Sequence, residues 1–253
     1  MEIFNFFKKS KQVIKGEIFK SDFKEIIFDD VSKQVLTIQQ QELKQVLEYF
    51  SRVSFLWWWT AIALQLGHRK SIDFDFFTNN IINNYYEFEK IILSLWLKID
   101  YESRERYRWI ELEKQEEIHV CINGVNFSIF NFYRTLYDDQ KINIVWNNYI
   151  LNWLKVASIE ELACMKLYAM VTRNKWKDAI DLYFILKNTN FTLKDLFDKS
   201  EKYFLKIFRP DIVLETILSW DWNTTEKVEY IIKNPPDDTE IIDFLRKEAL
   251  KLF

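Results

Sequence analysis

The run Ile72-Asp73-Phe74-Asp75-Phe76-Phe77 limits this chain more than any other part of it. Apolar and acidic residues alternate with the period of an extended strand, in which side chains two apart share a face. Asp73 and Asp75 are therefore expected side by side, with Ile72, Phe74 and Phe76 filling the opposite, buried face. Two carboxylates held together on a rigid strand repel each other as anions. Cations relieve that repulsion, and for hard oxygen donors a pair of Mg²⁺ (or Mn²⁺) ions is the usual solution.

The residues before the acids add a second element. Phe55-Leu56-Trp57-Trp58-Trp59 reads as a buried strand. Thr60 opens a short helical pattern in which Ile62, Leu64 and Leu66 are apolar, and Gly67 is a natural helix stop. His68-Arg69-Lys70 follow as a basic cluster. A strand, a tight turn, a helix N-terminus and an acid pair together describe a phosphate site beside a metal site. Each part has a plainer reading. An isolated Asp-x-Asp is usually a loop or a solvated strand edge, and three basic residues after a helix can be a solvated turn.

A second constellation lies farther along. Ser158-Ile159-Glu160-Glu161 is a capping box, and its helix is expected to run to about Arg173, with Lys166 and Arg173 seven apart on one side. Lys166 sits in the apolar stretch Met165 to Ala169, so its ammonium must snorkel to water or enter a charged cleft. A helix over about 177–188 begins Lys177-Asp178-Ala179-Ile180-Asp181-Leu182-Tyr183. Lys166 and Asp178 can also be an ordinary ion pair, which alone is worth little.

Taken together these segments resemble the nucleotidyltransferases of the DNA polymerase β type, in particular their AbiEii branch, the toxins of bacterial toxin–antitoxin pairs. That family's first motif reads roughly Gly-Gly-Thr-Ala-x-Ala-Leu-x-x-Gly-His-Arg-x-Ser-x-Asp-Phe-Asp-Phe. Its second joins a Met-Lys-Leu helix to an Arg and a Lys-Asp-x-x-Asp-Leu. The likeness covers roughly residues 45–190 and is firmest at 55–77 and 153–183.

The resemblance implies an α/β (α+β) fold: a polymerase-β-like nucleotidyltransferase domain with a small mixed sheet, followed by a helical C-terminal domain. It implies metal-dependent transfer of NMP from an NTP to an acceptor, with RNA, at the tRNA 3′ end, as the acceptor and an antitoxin protein as partner. Asp73, Asp75, Lys166 and Asp178 become the expected catalytic residues, Asp73 and Asp75 as metal ligands and Asp181 as a weaker candidate. Trp58, Trp59, Thr60, Arg69, Lys70 and Arg173 become the expected nucleotide contacts, with Thr60 capping the helix that faces the phosphates. The third carboxylate common in such enzymes is missing, since the matching positions are Asn126 and Ser128. Two other functions stay open: a catalytically inactive member that binds nucleotide or protein, and a metal-dependent nuclease using the same acids.

Where the family has its glycine run, this chain has Trp57, Trp58 and Trp59. The family's glycines let the backbone turn tightly and bring N–H groups to a triphosphate. An average domain of this size holds roughly 18 glycines. This one has 3 Gly and 10 Trp. Trp153 stands at another family glycine, and Trp176 in a helix connection. Three explanations are open: a gene in which UGA encodes glycine, an aromatic plug in a degenerate member, or compositional bias.

The remaining sequence sets boundaries. With 253 residues the chain can hold one large or two modest domains. The expected division is an N-terminal segment at 1–35, the nucleotidyltransferase-like domain at 36–155 and a helical domain at 156–253. Thr37 is a plausible N-cap for a helix over about 38–50, with Leu43, Val46, Leu47 and Phe50 on one face. Residues 86–97 repeat at helical spacing. Asn123-Gly124 predicts a hairpin joining 118–122 to 125–132. Further helices are expected at 192–205, 211–219 and 238–252. A net charge of −3 confines any RNA contact to a local basic patch. Cys121 and Cys164 suggest no disulfide framework, so a reducing cytoplasm fits. Two histidines argue against a zinc site or a His-dependent triad, and no apolar run long enough to cross a membrane is present.

Overall fold

A computed structural model describes residues 29–78, 85–100, 117–131, 148–151, 154–173, 175–219 and 226–253. Most of the expected N-terminal segment and Trp153 lie outside the described residues. Three helices come first: α1 (Asp30–Val35), α2 (Ile38–Glu42) and α3 (Lys44–Val53). Thr37 caps α2 through a capping box with Gln40. The single helix expected over 38–50 is broken at Leu43, yet Leu43, Val46, Leu47 and Phe50 are all buried as the pattern required.

Strand β1 (Phe55–Trp57) then enters the sheet and leads directly into helix α4 (Trp58–Leu66). The expected strand thus ends two residues early. Gly67 closes α4 at φ +61°, and a Cβ there would lie 3.3 Å from Val31 Cγ1. Both the backbone and the space therefore call for glycine. Strand β2 (Asp73–Thr78) follows, then helix α5 (Tyr85–Ser94) and the hairpin β3 (Glu117–Ile122) and β4 (Val125–Asn131), turned at Asn123-Gly124 as expected. Strands β5 (Asn148–Leu151) and β6 (Leu154–Ala157) complete a six-stranded sheet in the order β3-β4-β2-β1-β6-β5. β2 runs antiparallel to β1 and parallel to β4, and β1 runs parallel to β6, so the sheet is mixed.

Five helices follow among the described residues: α6 (Ile159–Thr172), α7 (Trp176–Asn188), α8 (Leu193–Phe204), α9 (Pro210–Ser219) and α10 (Asp238–Leu250), with a 3₁₀ turn at Leu205–Ile207. α6 starts from the Ser158/Glu161 capping box. Leu162 to Leu167 are buried without interruption, which a helix tolerates only when neighbours surround it. One apolar core runs from Val35 through the sheet strands to Ala249 on α10. Segment 229–231 closes over the motif: Lys70 N–H donates to Glu229 O at 2.9 Å, and Ile231 N–H to His68 O at 3.1 Å.

Helix α5 ends in a Schellman motif. Trp96 N–H donates to Leu93 O at 3.0 Å and Leu97 N–H to Ile92 O at 3.4 Å, with Trp96 at φ +59°. That position ordinarily belongs to glycine, because a Cβ there crowds the following carbonyl. The Trp96 side chain is 91% exposed, so no packing offsets the strain. Trp96→Gly is expected to stabilise the fold by roughly 0.5–1 kcal/mol, after allowance for glycine's extra freedom in the unfolded chain. Thermal unfolding checks this, and a lowered midpoint would contradict it.

Candidate active site

β2 presents its acids as the alternation predicts. Phe74 and Phe76 are fully buried on one face, while Asp73 and Asp75 share the other. Ile72 departs from the expectation: it precedes the strand and is 61% exposed. Strand β4 pairs in register, with Asn126 opposite Asp73 and Ser128 opposite Asp75. Asn126 Nδ2 donates to Asp73 Oδ1 at 3.0 Å. Ser128 hydrogen-bonds Asp75 and also lies 3.0 Å from His119 Nδ1.

Asp75 is the buried member of the pair. Burial, and then the Asp73 charge beside it, push its pKa up to about 6, against the helping influence of Ser128, Arg173 and His119. Two oxygen donors short of positive charge are what a divalent cation relieves, so the donor set fits a hard ion such as Mg²⁺. No group of three or more acids, histidines or cysteines gathers at one point among the described residues. The ion would therefore complete its shell with water and substrate oxygens, as Mg²⁺ readily does.

The second constellation is a buried charge network. Asp181, on α7, receives Arg69 Nε at 2.8 Å and Arg69 Nη2 at 2.9 Å, a two-pronged contact. His68 Nε2 lies 2.8 Å from the same carboxylate and Lys166 Nζ lies 2.7 Å from it. Lys166 Nζ also contacts Asp178 Oδ1 at 3.0 Å, and Arg173 Nε donates to Asp178 Oδ2 at 3.2 Å. Burial alone would raise the Asp181 carboxyl. Arg69 and Lys166, with hydrogen bonds from His68 and Arg69, reverse that and hold it well below the usual carboxylate range. Burial lowers the pKa of both Lys166 and His68 in spite of their acidic neighbours.

The structure thus brings Lys166, Arg173 and Asp178 together and adds Asp181, the weaker catalytic candidate of the sequence, as the buried anchor of the cluster. The available signal was the three-residue spacing of Asp178 and Asp181, which places both on one face of a helix. Arg69 is fully buried with its guanidinium on Asp181, whereas Lys70 is partly exposed and paired with Glu229 at 2.5 Å. Thr60 does not cap α4: the N-cap position is Trp57, with no side-chain cap bond. Its hydroxyl instead bonds Ser71 Oγ at 2.7 Å and the Asp73 carbonyl, which ties the helix to the strand that carries the acids.

The indoles of Trp58 and Trp59 stand between the two constellations. Trp58 packs on Phe77 and Phe130 of the sheet, each 5.9 Å between ring centres, and carries the Arg173 guanidinium at 4.6 Å. Trp59 holds Lys166 Nζ 3.3 Å and Arg173 4.5 Å from its ring centre. Rings thus occupy the space in front of the cations that an anionic ligand would otherwise face.

Removing one partner of a buried ion pair strands the other charge, which costs about 3–5 kcal/mol. Asp181→Asn should destabilise the fold by that amount in a urea titration, and a loss under about 1 kcal/mol would mean the network is not holding it. Asp75 has the opposite sign. Its folded pKa of about 6 exceeds the ordinary 3.8, so stability is full below 3.8 and is lost as pH rises through 6. Asp75→Asn should therefore gain up to about 3 kcal/mol over the parent at about pH 8, with the difference closing toward about pH 3. A gain independent of pH would contradict this.

The chain is similar to several known proteins. A family model described as nucleotidyl transferase AbiEii toxin, type IV TA system, matches residues 60–249. An uncharacterized Aquifex aeolicus (strain VF5) protein, aq_aa25, is 31% identical over 194 residues, which span 75% of this chain and 83% of that protein. Two solved Helicobacter pylori structures, one described as a candidate nucleotidyltransferase and the other as JHP933, are each 17% identical with a TM-score of 0.47. The first pairs 85% of this chain with 92% of its own, and the second 86% with 93%. Among the described residues no helix is long and apolar enough to cross a membrane. The chain belongs to the AbiEii family of nucleotidyltransferase toxins of type IV toxin–antitoxin systems.

Proposed function

We propose that this chain transfers a nucleotidyl group from an NTP to an RNA acceptor, the 3′ end of tRNA, at a metal site on Asp73 and Asp75: the acceptor hydroxyl bonds to the α-phosphorus, the α–β phosphoanhydride bond breaks, and pyrophosphate leaves. The observation that carries the reading is the pairing of these acids on β2 across from the cations of α6 and its cap. A bound Mg²⁺ or Mn²⁺ would supply the positive charge that draws the α-phosphate and the acceptor hydroxyl together and makes that hydroxyl acidic.

The chain's own residues do the rest. Asn126 fixes the Asp73 carboxylate, and Ser128 steadies Asp75. Thr60 locks the start of α4 against β2, so the backbone at 58–60 keeps its place beside the acids. Arg173 is the partly exposed cation of the cluster and so the one best placed to meet phosphate oxygens. Lys166 backs it from the buried side, and Asp178 holds both in position. Arg69, Asp181 and His68 serve as a rigid support beneath them. A protein antitoxin would be the natural partner of such an enzyme.

A second reading has a specific observation behind it. With Lys166 only 3.3 Å from the Trp59 ring centre, the tryptophan form is a closed, self-satisfied site, which favours an inactive binding member. One assay separates the two. The Trp58→Gly/Trp59→Gly variant is incubated with labelled NTPs, Mg²⁺ and total tRNA. Transfer of label to RNA is expected, lowered roughly 100-fold or more by Asp73→Asn or Asp75→Asn, since even the outer partners of catalytic metals matter on that scale. Absence of transfer, or transfer indifferent to both acids, would reject the enzyme reading, and RNA shortening would indicate a nuclease.

A further inference from the structure

We infer that Trp58, Trp59 and Trp96 are glycines in the protein its own cells make, their codons being UGA decoded by a glycine tRNA with a UCA anticodon. The inference is independent of the nucleotidyl-transfer reading. It rests on backbone conformation, on surroundings and on composition.

Backbone conformation is the first support. Trp58 and Trp96 lie at φ +56° and +59°, close to the +61° of Gly67. Left-handed φ in a bulky residue is a genuine outlier, whereas glycine adopts it freely. Among the described residues the other non-glycine residues at positive φ are Asn123, in the hairpin turn where Asn is ordinary, and Leu205. Tryptophan therefore supplies two of the four exceptions there, although only Trp57, Trp58, Trp59, Trp96 and Trp176 are among the described residues.

Surroundings are the second support. The two left-handed tryptophans occupy unrelated places, the start of α4 and the end of α5. Trp96 is the C′ residue of a complete Schellman motif and projects into solvent. No local function of an indole accounts for it, while the motif itself accounts for a glycine. At Trp58 the indole N–H is buried with no hydrogen-bond partner among the described residues. Trp59 next to it lies against Lys166, Arg173 and Arg69, a set of cations gathered on one ring. Replacing both side chains by hydrogen would remove the backbone strain and open the Lys166 and Arg173 cations to an anionic ligand.

Composition is the third support. Only 3 Gly accompany 10 Trp. A systematic exchange of one codon's meaning produces both departures at once, and an isolated aromatic plug at 57–59 explains neither Trp96 nor the glycine deficit.

The test reads codons and peptides and involves no activity, so it succeeds or fails separately from nucleotidyl transfer. The gene is sequenced at codons 58, 59 and 96, and the protein is purified from its native cells for peptide mass spectrometry. UGA codons with glycine in the matching peptides are the expected result. UGG at positions 58 and 96, or tryptophan in those peptides, would overturn the inference. Expression of the unaltered gene in cells that read UGA as stop should release a fragment ending before residue 60, and full-length product there would likewise overturn it.

Discussion

A carboxylate sealed from water stays ionised only while its counter-charges stay with it, and Asp181 is held in that way by Arg69 and Lys166, with a hydrogen bond to His68 beside them. The three partners come from two distant parts of the chain. His68 and Arg69 follow the first motif helix, and Lys166 lies on α6. Asp181 therefore fastens the loop that leads into the acid-bearing strand to the helices behind it. The 229–231 segment adds backbone hydrogen bonds to the same loop. The ladders with β1 and β4 then set the register of β2, which puts Asp73 and Asp75 on one face.

The division of labour in the site follows from dielectric. Arg69, Lys166 and Asp181 are buried and give one another fixed positions, while Asp73 and Arg173 keep partial access to water. A carboxylate pair with one buried member carries unrelieved negative charge, and the cation cluster lies across the indoles from it. The acid pair thus lies on the sheet, and Arg173, although paired with Asp178, is the cation of the helical side that keeps some access to water. That separation suits a substrate which is itself a metal-bound polyanion. The two indoles are the feature at odds with it, since they cover the cations and one of them strains the backbone.

Much of the site was legible in the sequence because its signals are local. Strand alternation placed Asp73, Phe74, Asp75 and Phe76 on the correct faces, and the N-cap at Thr37 and the capping box at Ser158 marked real helix starts. The Asn123-Gly124 turn marked the β3–β4 hairpin, whereas the parallel β2–β4 pairing that puts Asn126 and Ser128 opposite the acids is a non-local contact. The misreadings came where tertiary context decides. Ile72 continues the alternation but lies outside the ladder, so nothing buries it. Thr60 looked like a cap, yet the helix begins earlier and its hydroxyl is drawn to Ser71 and β2. The burial of Arg69 and the weight carried by Asp181 depend on two segments more than a hundred residues apart, and no local pattern reports such a contact.

The central claim is that β2 holds a metal-bound nucleotide beside a cation cluster which the two indoles now cover. Calorimetric titration of an NTP, with and without Mg²⁺, into the parent chain and into Trp58→Gly/Trp59→Gly tests it most directly. The account predicts Mg²⁺-dependent binding that is markedly tighter in the double glycine variant than in the parent, and abolished when Asp75→Asn is added. Equal binding by both chains, or binding indifferent to Mg²⁺ and to Asp75, would contradict it.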